Sequence, residues 1–202
     1  MVLLPPTVKL AGASNPDSGE EGQMFSPLLL PQEEIAAVEQ GFRIRPLNEK
    51  DYDKGFLDLL AQLTSVGQIT EESFLTRFRS MSQPQSYYVV VIEDESTNKV
   101  VGAATLVLEW KFIHEAGARG RIEDVVIHHK MRGRKFGALL IKTLVALGKQ
   151  FGVYKMSLEC KDELVRFYGL NGFTKDPGNF MTLRFDQPEL VPLNEELGQS
   201  KI

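Results

Sequence analysis

The segment from Glu123 to Ala138 has the composition of an anion-binding site. A predicted strand, Arg119–Ile127, runs into a basic loop that contains Gly133, and a predicted helix begins at Phe136. Amide hydrogens at the start of a helix have no partner within the helix and carry a partial positive charge. Six Lys and Arg residues between positions 119 and 135 concentrate positive charge in a chain whose formal net charge is −4. The segment therefore predicts an anion site, and pyrophosphate suits that chemistry.

The two glycines of this loop do not by themselves identify a ligand. Arg132-Gly133-x-x-x-Gly137 is equally compatible with a solvated basic loop whose glycine makes a turn. A P-loop requires a Gly-Lys-Ser/Thr run, and the dinucleotide fingerprint requires a third glycine. Neither pattern is present here.

The run from Arg132 to Gly137 resembles the acetyl-CoA loop of the GNAT acyltransferases, which reads R/Q-x-x-G-x-G/A between the fourth strand and the third helix. Phe167-Tyr168, followed by Asn171-Gly172-Phe173, is similar to the last helix and turn of that family. The resemblance implies an α/β (α+β mixed) GNAT acyltransferase fold, with a mixed, mostly antiparallel sheet and helices on both faces. It also implies acetyl-CoA as the co-substrate.

Further short matches narrow the resemblance to the glucosamine 6-phosphate N-acetyltransferases of that family. They fall in order along the chain at Gln62–Thr64, Lys111–His114, Arg119–Val126, Tyr154–Lys155 and Leu158–Cys160. The resemblance covers about Phe42 to Phe185. It implies transfer of acetyl from acetyl-CoA to the 2-amino group of D-glucosamine 6-phosphate, in the synthesis of UDP-N-acetylglucosamine.

The resemblance gives three residues roles in the reaction. Glu159 matches the acidic position that orients the sugar amine or receives its proton, and Tyr168 matches the tyrosine that hydrogen-bonds to the CoA sulfur. The backbone N–H of Val126 is the expected donor to the oxyanion. Taken alone, Glu159 is also compatible with an exposed carboxylate at a strand end, and Tyr168 with a core tyrosine. Because no histidine is placed by sequence to activate Cys160, direct attack by the amine is preferred to an acyl-enzyme.

Two further sets of residues are expected to bind the substrates. The CoA set is Val125, Val126, Ile127, Arg132, Gly133, Arg134, Lys135, Phe136, Gly137 and Ala138, with Tyr168 at the sulfur. The sugar-phosphate set is Thr64, Lys111, Phe112, Ile113, His114, Glu123, Asp124, Val125, Tyr154, Lys155, Glu159 and Arg184. In relatives the arginine at the position of Arg184 reaches the phosphate held by a partner subunit, which implies a homodimer with shared active sites. Leu164 departs from the family, since relatives often have an asparagine there that contacts CoA.

Two other functions fit the loop as well. One is acetyl transfer to another amine, such as a protein lysine or a polyamine, and the other is a module that binds acetyl-CoA without turnover. The positive charges of Lys111 and Lys155 favour an anionic acceptor. The presence of both Glu159 and Tyr168 favours catalysis.

The elements that must position these residues alternate along the chain. Strands are predicted at Phe42–Arg45, Tyr87–Ile92, Val100–Glu109, Arg119–Ile127, Lys155–Glu159 and Phe180–Phe185. Helices are predicted at Gln32–Val38, Asp51–Thr64, Glu71 to about Ser80 with Thr70 as the N-cap, Phe136–Phe151 and Glu163–Leu170. Three strands joined by short turns predict an antiparallel meander, and the later strand–helix–strand unit predicts a parallel pair.

The two ends of the chain differ from its middle. Residues 1–41 hold five of the ten prolines and only one aromatic residue, Phe25, so little of this segment can be buried. We expect residues 1–41 to form a mobile N-terminal segment, mobile above all from Met1 to about Pro31. Residues 42–185 are expected to form the acetyltransferase domain, and residues 186–202 a C-terminal tail.

Composition excludes several classes of protein. Of the 202 residues, 43% are hydrophobic and 25% charged, which is typical of a soluble globular protein. The net charge of −4 argues against nucleic-acid binding. No stretch approaches the roughly 20 apolar residues of a membrane span, and the chain starts without a charged leader. The single cysteine, Cys160, fits a reducing compartment.

These features predict a cytoplasmic protein. Peripheral attachment to endosomal or Golgi membranes occurs in some relatives, and the sequence leaves it open. His128 and His129 are adjacent and lack a third ligand at suitable spacing, so we expect no metal.

Overall fold

The computed structural model describes residues 21–183, whose strands form one sheet in the order β1–β2–β3–β4–β5. The strands are β1 (Phe42–Pro46), β2 (Tyr87–Asp94), β3 (Lys99–Trp110), β4 (Ala118–Ile127) and β5 (Lys155–Ser157). Strands β1 to β4 pair antiparallel in sequence order, whereas β4 and β5 run parallel. The predicted mixed, mostly antiparallel sheet is confirmed.

Helices connect and cover the strands. They are α1 (Gln32–Ala36), α2 (Phe56–Leu60), α3 (Glu71–Ser82), α4 (Ile113–Ala116), α5 (Phe136–Gln150) and α6 (Val165–Gly169). The Thr70 side chain accepts a hydrogen bond from the Ser73 amide at 3.2 Å, which confirms the predicted cap of α3. No helix between residues 21 and 183 has both the length and the apolar character that crossing a bilayer requires.

The alternation of side chains along β2 explains why helices lie on both faces of the sheet. Val90 and Ile92 are buried in a cluster with the apolar face of α5. Val89 and Val91 point the other way, into a cluster that contains Leu59 of α2 and two phenylalanines of α3. Strands buried on both faces need apolar side chains at successive positions, as β2 has.

The segment before β1 differs from its prediction. Met24 and Leu30 are 5% and 2% exposed and pack in the two clusters, and the Met24 amide donates to the Leu47 carbonyl at 2.8 Å. The expectation that little of this segment is buried is therefore wrong for residues 21–31, because Met24 and Leu30 pack against the two apolar clusters. Residues 1–20 lie outside the described part of the chain.

Two predicted elements are also corrected. The helix predicted over Asp51–Thr64 is a 3₁₀ turn, Glu49–Tyr52, followed by the short α2, because Gly55 separates them with a left-handed backbone at φ 79°. The strand predicted over Phe180–Phe185 is absent from residues 180–183, where the side chains of Phe180 and Met181 are 65% and 89% exposed. Its period-2 pattern has no neighbouring strand to pair with among residues 21–183. Residues 184–185 lie outside the described residues.

Candidate active site

The strand β4 carries a bulge at the centre of the predicted site. Thr105 of β3 lies opposite Glu123, and Ala103 lies opposite Val126, so two residues of β4 face one residue of β3. Asp124 takes up the extra length with a left-handed backbone, φ 53°. A bulge turns the strand and frees backbone groups from the ladder. It therefore redirects the backbone at Val125 and Val126, where the sequence predicts the oxyanion donor.

The environment of Asp124 follows from the same bulge. Protein atoms around the Asp124 carboxyl raise its pKa, and the neighbouring Glu123 carboxylate adds to that rise, although much of the residue's surface is open to solvent. Burial is the main cause of the raised pKa, and the adjacent acidic side chain on the bent strand adds to it.

The basic loop after β4 leads directly into α5, as predicted. It contains a 3₁₀ turn, His129–Met131, and left-handed residues at Gly133 (φ 82°) and Lys135 (φ 65°). Lys135 is the N-cap of the 15-residue α5 but provides no side-chain cap, so the first amides of the helix stay free for a ligand. The arrangement suits a diphosphate bound mainly through backbone N–H groups.

The side chain of Arg134, in the same loop, is held by residues of another part of the chain. The Arg134 guanidinium forms a salt bridge with Glu39 and lies 4.5 Å from the centre of the Phe42 ring. The hydrogen bond from Arg134 lowers the pKa of Glu39. Arg134 can therefore contribute its backbone to an anion site, while its charge is shared with Glu39.

Strands β4 and β5 pair over three residues each and then separate. We call the place where they separate the fork. Pairing runs from Arg119 opposite Lys155 to Arg121 opposite Ser157, and then β5 ends while β4 continues to Ile127. Arg121 stands at the last rung and bridges two carboxylates. Its Nε donates to Oε1 of Glu123 at 2.6 Å, and its Nη2 donates to Oε1 of Glu159. The structure thus brings Glu123 and Glu159, both predicted site residues, to one guanidinium.

Tyr168 lies on α6 and is 7% exposed. Its ring packs edge-on against Phe167 and Phe173, with ring centroids 4.9 and 6.2 Å away. Burial raises the pKa of Tyr168, and the nearby Cys160 adds to that rise. The hydroxyl has no hydrogen-bond partner within residues 21–183. Because its pKa is raised, the Tyr168 hydroxyl is protonated at neutral pH and can donate a hydrogen bond to a ligand.

The sugar-phosphate set is only partly assembled within the described chain. The rings of His114 and Tyr154 are in contact, with centroids 4.1 Å apart. Lys111 is paired with Glu109 at 2.8 Å, whereas Lys155 is exposed on β5. Thr64 is exposed after α2 and its side chain bonds to none of the others. Arg184 lies outside the described residues.

The connection between β3 and β4, which contains the short α4, is strained and exposes two apolar side chains. His114, Glu115 and Ala116 have consecutive left-handed backbones, with φ of 52°, 58° and 57°. Phe112 and Ile113 are 102% and 63% exposed. Non-glycine residues adopt this conformation at an energetic cost. The connection therefore exposes the predicted binding motif Lys111–His114 next to a backbone of fixed conformation.

Sequence reasoning missed three contacts. Gln62 accepts a hydrogen bond from the His129 amide at 2.9 Å, and these residues are distant in the chain, so no local pattern reveals the contact. Glu109, the partner of Lys111, is only two positions away from it. Arg121 and Glu123 are two positions apart on one strand and so share a face, which was the available signal. A cavity of about 310 Å³ lies beside Gln62, between α2, the β2–β3 hairpin and the 3₁₀ turn His129–Met131. None of the predicted site residues lines it.

Comparisons with known proteins show which family the chain resembles in sequence and fold. The profile of the acetyltransferase (GNAT) family matches residues 52–173. The probable glucosamine 6-phosphate N-acetyltransferase of Drosophila melanogaster is 48% identical over 165 residues, which are 79% of this chain and 75% of that protein. Glucosamine 6-phosphate N-acetyltransferase 1 of Dictyostelium discoideum is 38% identical over 132 residues, 65% of this chain and 83% of that protein. The crystal structure of glucosamine-6-phosphate N-acetyltransferase from Arabidopsis thaliana is 36% identical with a TM-score of 0.69, covering 72% of this chain and 99% of that chain.

Proposed function

The chain belongs to the GNAT acetyltransferase family, and we propose that it transfers acetyl from acetyl-CoA to the 2-amino group of D-glucosamine 6-phosphate. The products are N-acetyl-D-glucosamine 6-phosphate and CoA. The observation that carries this proposal is the 48% identity to the Drosophila melanogaster relative along 75% of that protein's length. We further propose that the product feeds the synthesis of UDP-N-acetylglucosamine.

We propose that acetyl-CoA binds along the fork and the basic loop. The amides at the start of α5 and the left-handed Gly133 suit the pyrophosphate. Beyond Arg121, the edge of β4 that faces β5 has no strand partner among residues 21–183, so Val125 to Ile127 can pair with the amides of pantetheine. The N–H of Val126, which directly follows the bulge, is the proposed donor to the oxyanion.

The reaction itself is a direct attack in a ternary complex. The amine nitrogen forms a bond to the thioester carbonyl carbon, and collapse of the tetrahedral intermediate breaks the bond between carbon and sulfur. Glu159 accepts the proton that the amine loses. The Tyr168 hydroxyl donates to the departing sulfur, since burial keeps this phenol protonated and its hydrogen has no other acceptor among the described residues. One amide bond is formed and CoA leaves as the thiol. Glu159 has then gained one proton and Tyr168 has lost one, and proton exchange with solvent restores both groups.

We propose that Lys155, Lys111 and His114 provide positive charge for the 6-phosphate. Since Lys111 also neutralises Glu109, Lys155 is the cation most available for the phosphate. The incomplete sugar site, together with exposed Phe112 and Ile113, supports a homodimer in which each subunit completes the other's site. Arg184 is the proposed contribution of the partner subunit. We propose a cytoplasmic location for this dimer.

A panel of acceptors tests the proposal. The full chain is mixed with acetyl-CoA and, in turn, glucosamine 6-phosphate, glucosamine, spermine and a lysine peptide, and released thiol is measured. We expect thiol with glucosamine 6-phosphate, and a kcat/KM for glucosamine lower by about 10²-fold because charge-assisted phosphate contacts are lost. Thiol release with the peptide or spermine but not with the sugar phosphate would show a different acceptor. Binding of acetyl-CoA with no thiol from any acceptor would show a binding module.

A further inference from the structure

Glu159 lies just after β5, outside the hydrogen-bonded part of the sheet. Strand β5 ends at Ser157, so Glu159 lies beyond the last paired residue and the sheet does not fix its backbone through a ladder. Its side chain is 41% exposed, and within residues 21–183 its single hydrogen-bond partner is Arg121. A carboxylate in this setting has many rotamers available unless something holds it.

Arg121 has a much better defined position. It lies on β4 at the last rung of the fork, and its side chain is 30% exposed. Its Nε is bonded to Glu123 at 2.6 Å, and Glu123 is two residues along the same strand. A guanidinium is planar and its N–H groups are fixed relative to one another, so the group that binds Glu123 at one edge sets the direction of its other N–H groups.

We infer that Arg121 is a positioning residue that orients the Glu159 carboxylate towards the sugar amine at the fork. The inference rests on the proposed function, and it adds a residue that makes no contact with the reacting atoms. The chain of contacts runs from Glu123, through Arg121, to Glu159. Because all three side chains are partly open to solvent, these ion pairs add little to folding stability. Their effect is on the geometry of proton transfer.

A lysine cannot reproduce this arrangement. Its ammonium is a single point of charge on a flexible stem and has no rigid fork to span two carboxylates in fixed directions. Arg121→Lys therefore keeps the charge and loses the geometry. Arg121→Gln loses both. The two variants separate the effect of charge from the effect of orientation.

A double-mutant cycle on the full chain tests the inference, with thiol release from acetyl-CoA and glucosamine 6-phosphate as the assay. We expect Arg121→Gln to lower kcat by about 10 to 100-fold, as misplacement of a catalytic group does, while the KM for acetyl-CoA changes less than about threefold. In a Glu159→Gln background the same substitution should lower kcat by less than about threefold, because there is no carboxylate left to orient. Arg121→Lys should recover part of the loss.

Arg79→Gln is the matched control. Arg79 is also paired with a glutamate, Glu49 at 3.8 Å, but it is exposed on α3. We expect its kcat to stay within about twofold of the unmodified chain, as for an ordinary surface pair. Circular dichroism of each variant reports whether it folds, and if Arg121→Gln does not, the cycle is run with Arg121→Lys.

The outcomes are distinct. Equal losses from Arg121→Gln in both backgrounds would overturn the inference, since Arg121 would then act without Glu159. An unchanged kcat would overturn it as well. If the unmodified chain releases no thiol with glucosamine 6-phosphate, it is the proposed function that fails, and the inference fails with it.

Discussion

The most quantitative prediction concerns a buried cluster of charges at the base of β1. Arg45 is 3% exposed and donates to both carboxylate oxygens of Asp51 at 2.7 and 2.8 Å, and to Glu93 at 2.8 Å. Asp51 and Glu93 are 0% and 2% exposed. Glu93 has two further cations, Lys54 at 2.6 Å and Arg43 at 2.9 Å. Asp51 is different, because Arg45 is the only cation paired with it among residues 21–183.

Arg45→Met removes the sole counter-ion of a fully buried carboxylate. Breaking a buried pair by deleting one partner costs about 3–5 kcal/mol, because the remaining charge stays away from water. In a domain of this size, a loss of that magnitude lowers Tm by about 10 °C. The assay is urea unfolding at 25 °C, analysed as the free energy of unfolding.

The double variant Arg45→Met/Asp51→Asn supplies the decisive control. Asparagine removes the stranded charge and can still accept from the Asn48 amide, which now donates to Asp51 at 2.8 Å. We expect the double variant to recover about half of the lost free energy. A double variant no more stable than Arg45→Met would refute the reasoning. So would a cost for Arg45→Met below about 1 kcal/mol, the value of an exposed pair.

Three other predictions follow from named groups. Tyr168→Phe keeps the ring contacts but removes the donor to the leaving sulfur, so kcat should fall by about 10²-fold while calorimetry shows CoA binding retained; a kcat within threefold would remove this role. Gln62→Leu removes the acceptor of the His129 amide, and the KM for acetyl-CoA should rise about five to tenfold, whereas Gln62→Glu should stay near the unmodified value; equal effects of the two would contradict the contact. Burial by itself raises the pKa of Glu93, but hydrogen bonds from the three surrounding cations outweigh it and lower the pKa to about 2. Since the folded-state pKa lies below the unfolded one, ionised Glu93 should add about 3 kcal/mol above pH ~4.5 and lose it as the pH falls through ~2. Urea titrations between pH ~5 and ~3 should show this slope in the unmodified chain and a flatter one in Glu93→Gln.

The sheet was predictable because its signals are local. Val89 to Ile92 form a short apolar run that only a strand covered on both faces can bury, and the structure places it there. The basic loop and the start of α5 were predictable for a similar reason. A strand, a glycine-bearing loop and an apolar helical period follow one another without interruption.

Elements that depend on distant partners were not predictable in the same way. Met181 and Leu183 alternate with polar residues as in a strand. A strand needs a neighbour, however, and none is present beside residues 180–183 in the described part of the chain. Met24 and Leu30 sit in a proline-rich stretch, yet each finds a pocket made by residues elsewhere in the sequence. The same limit applies to the site, where the role of Arg121 depends on the fork between β4 and β5.

The central claim is that the acetyl carbon becomes bonded to the 2-amino nitrogen of glucosamine 6-phosphate. Acetyl-CoA labelled with ¹³C at the carbonyl and glucosamine 6-phosphate labelled with ¹⁵N at the amine test it in one experiment. We predict a one-bond ¹³C–¹⁵N coupling in the product NMR spectrum, growing in equal amount with the released CoA thiol. Thiol released without that coupling, or no thiol at all, would contradict the account.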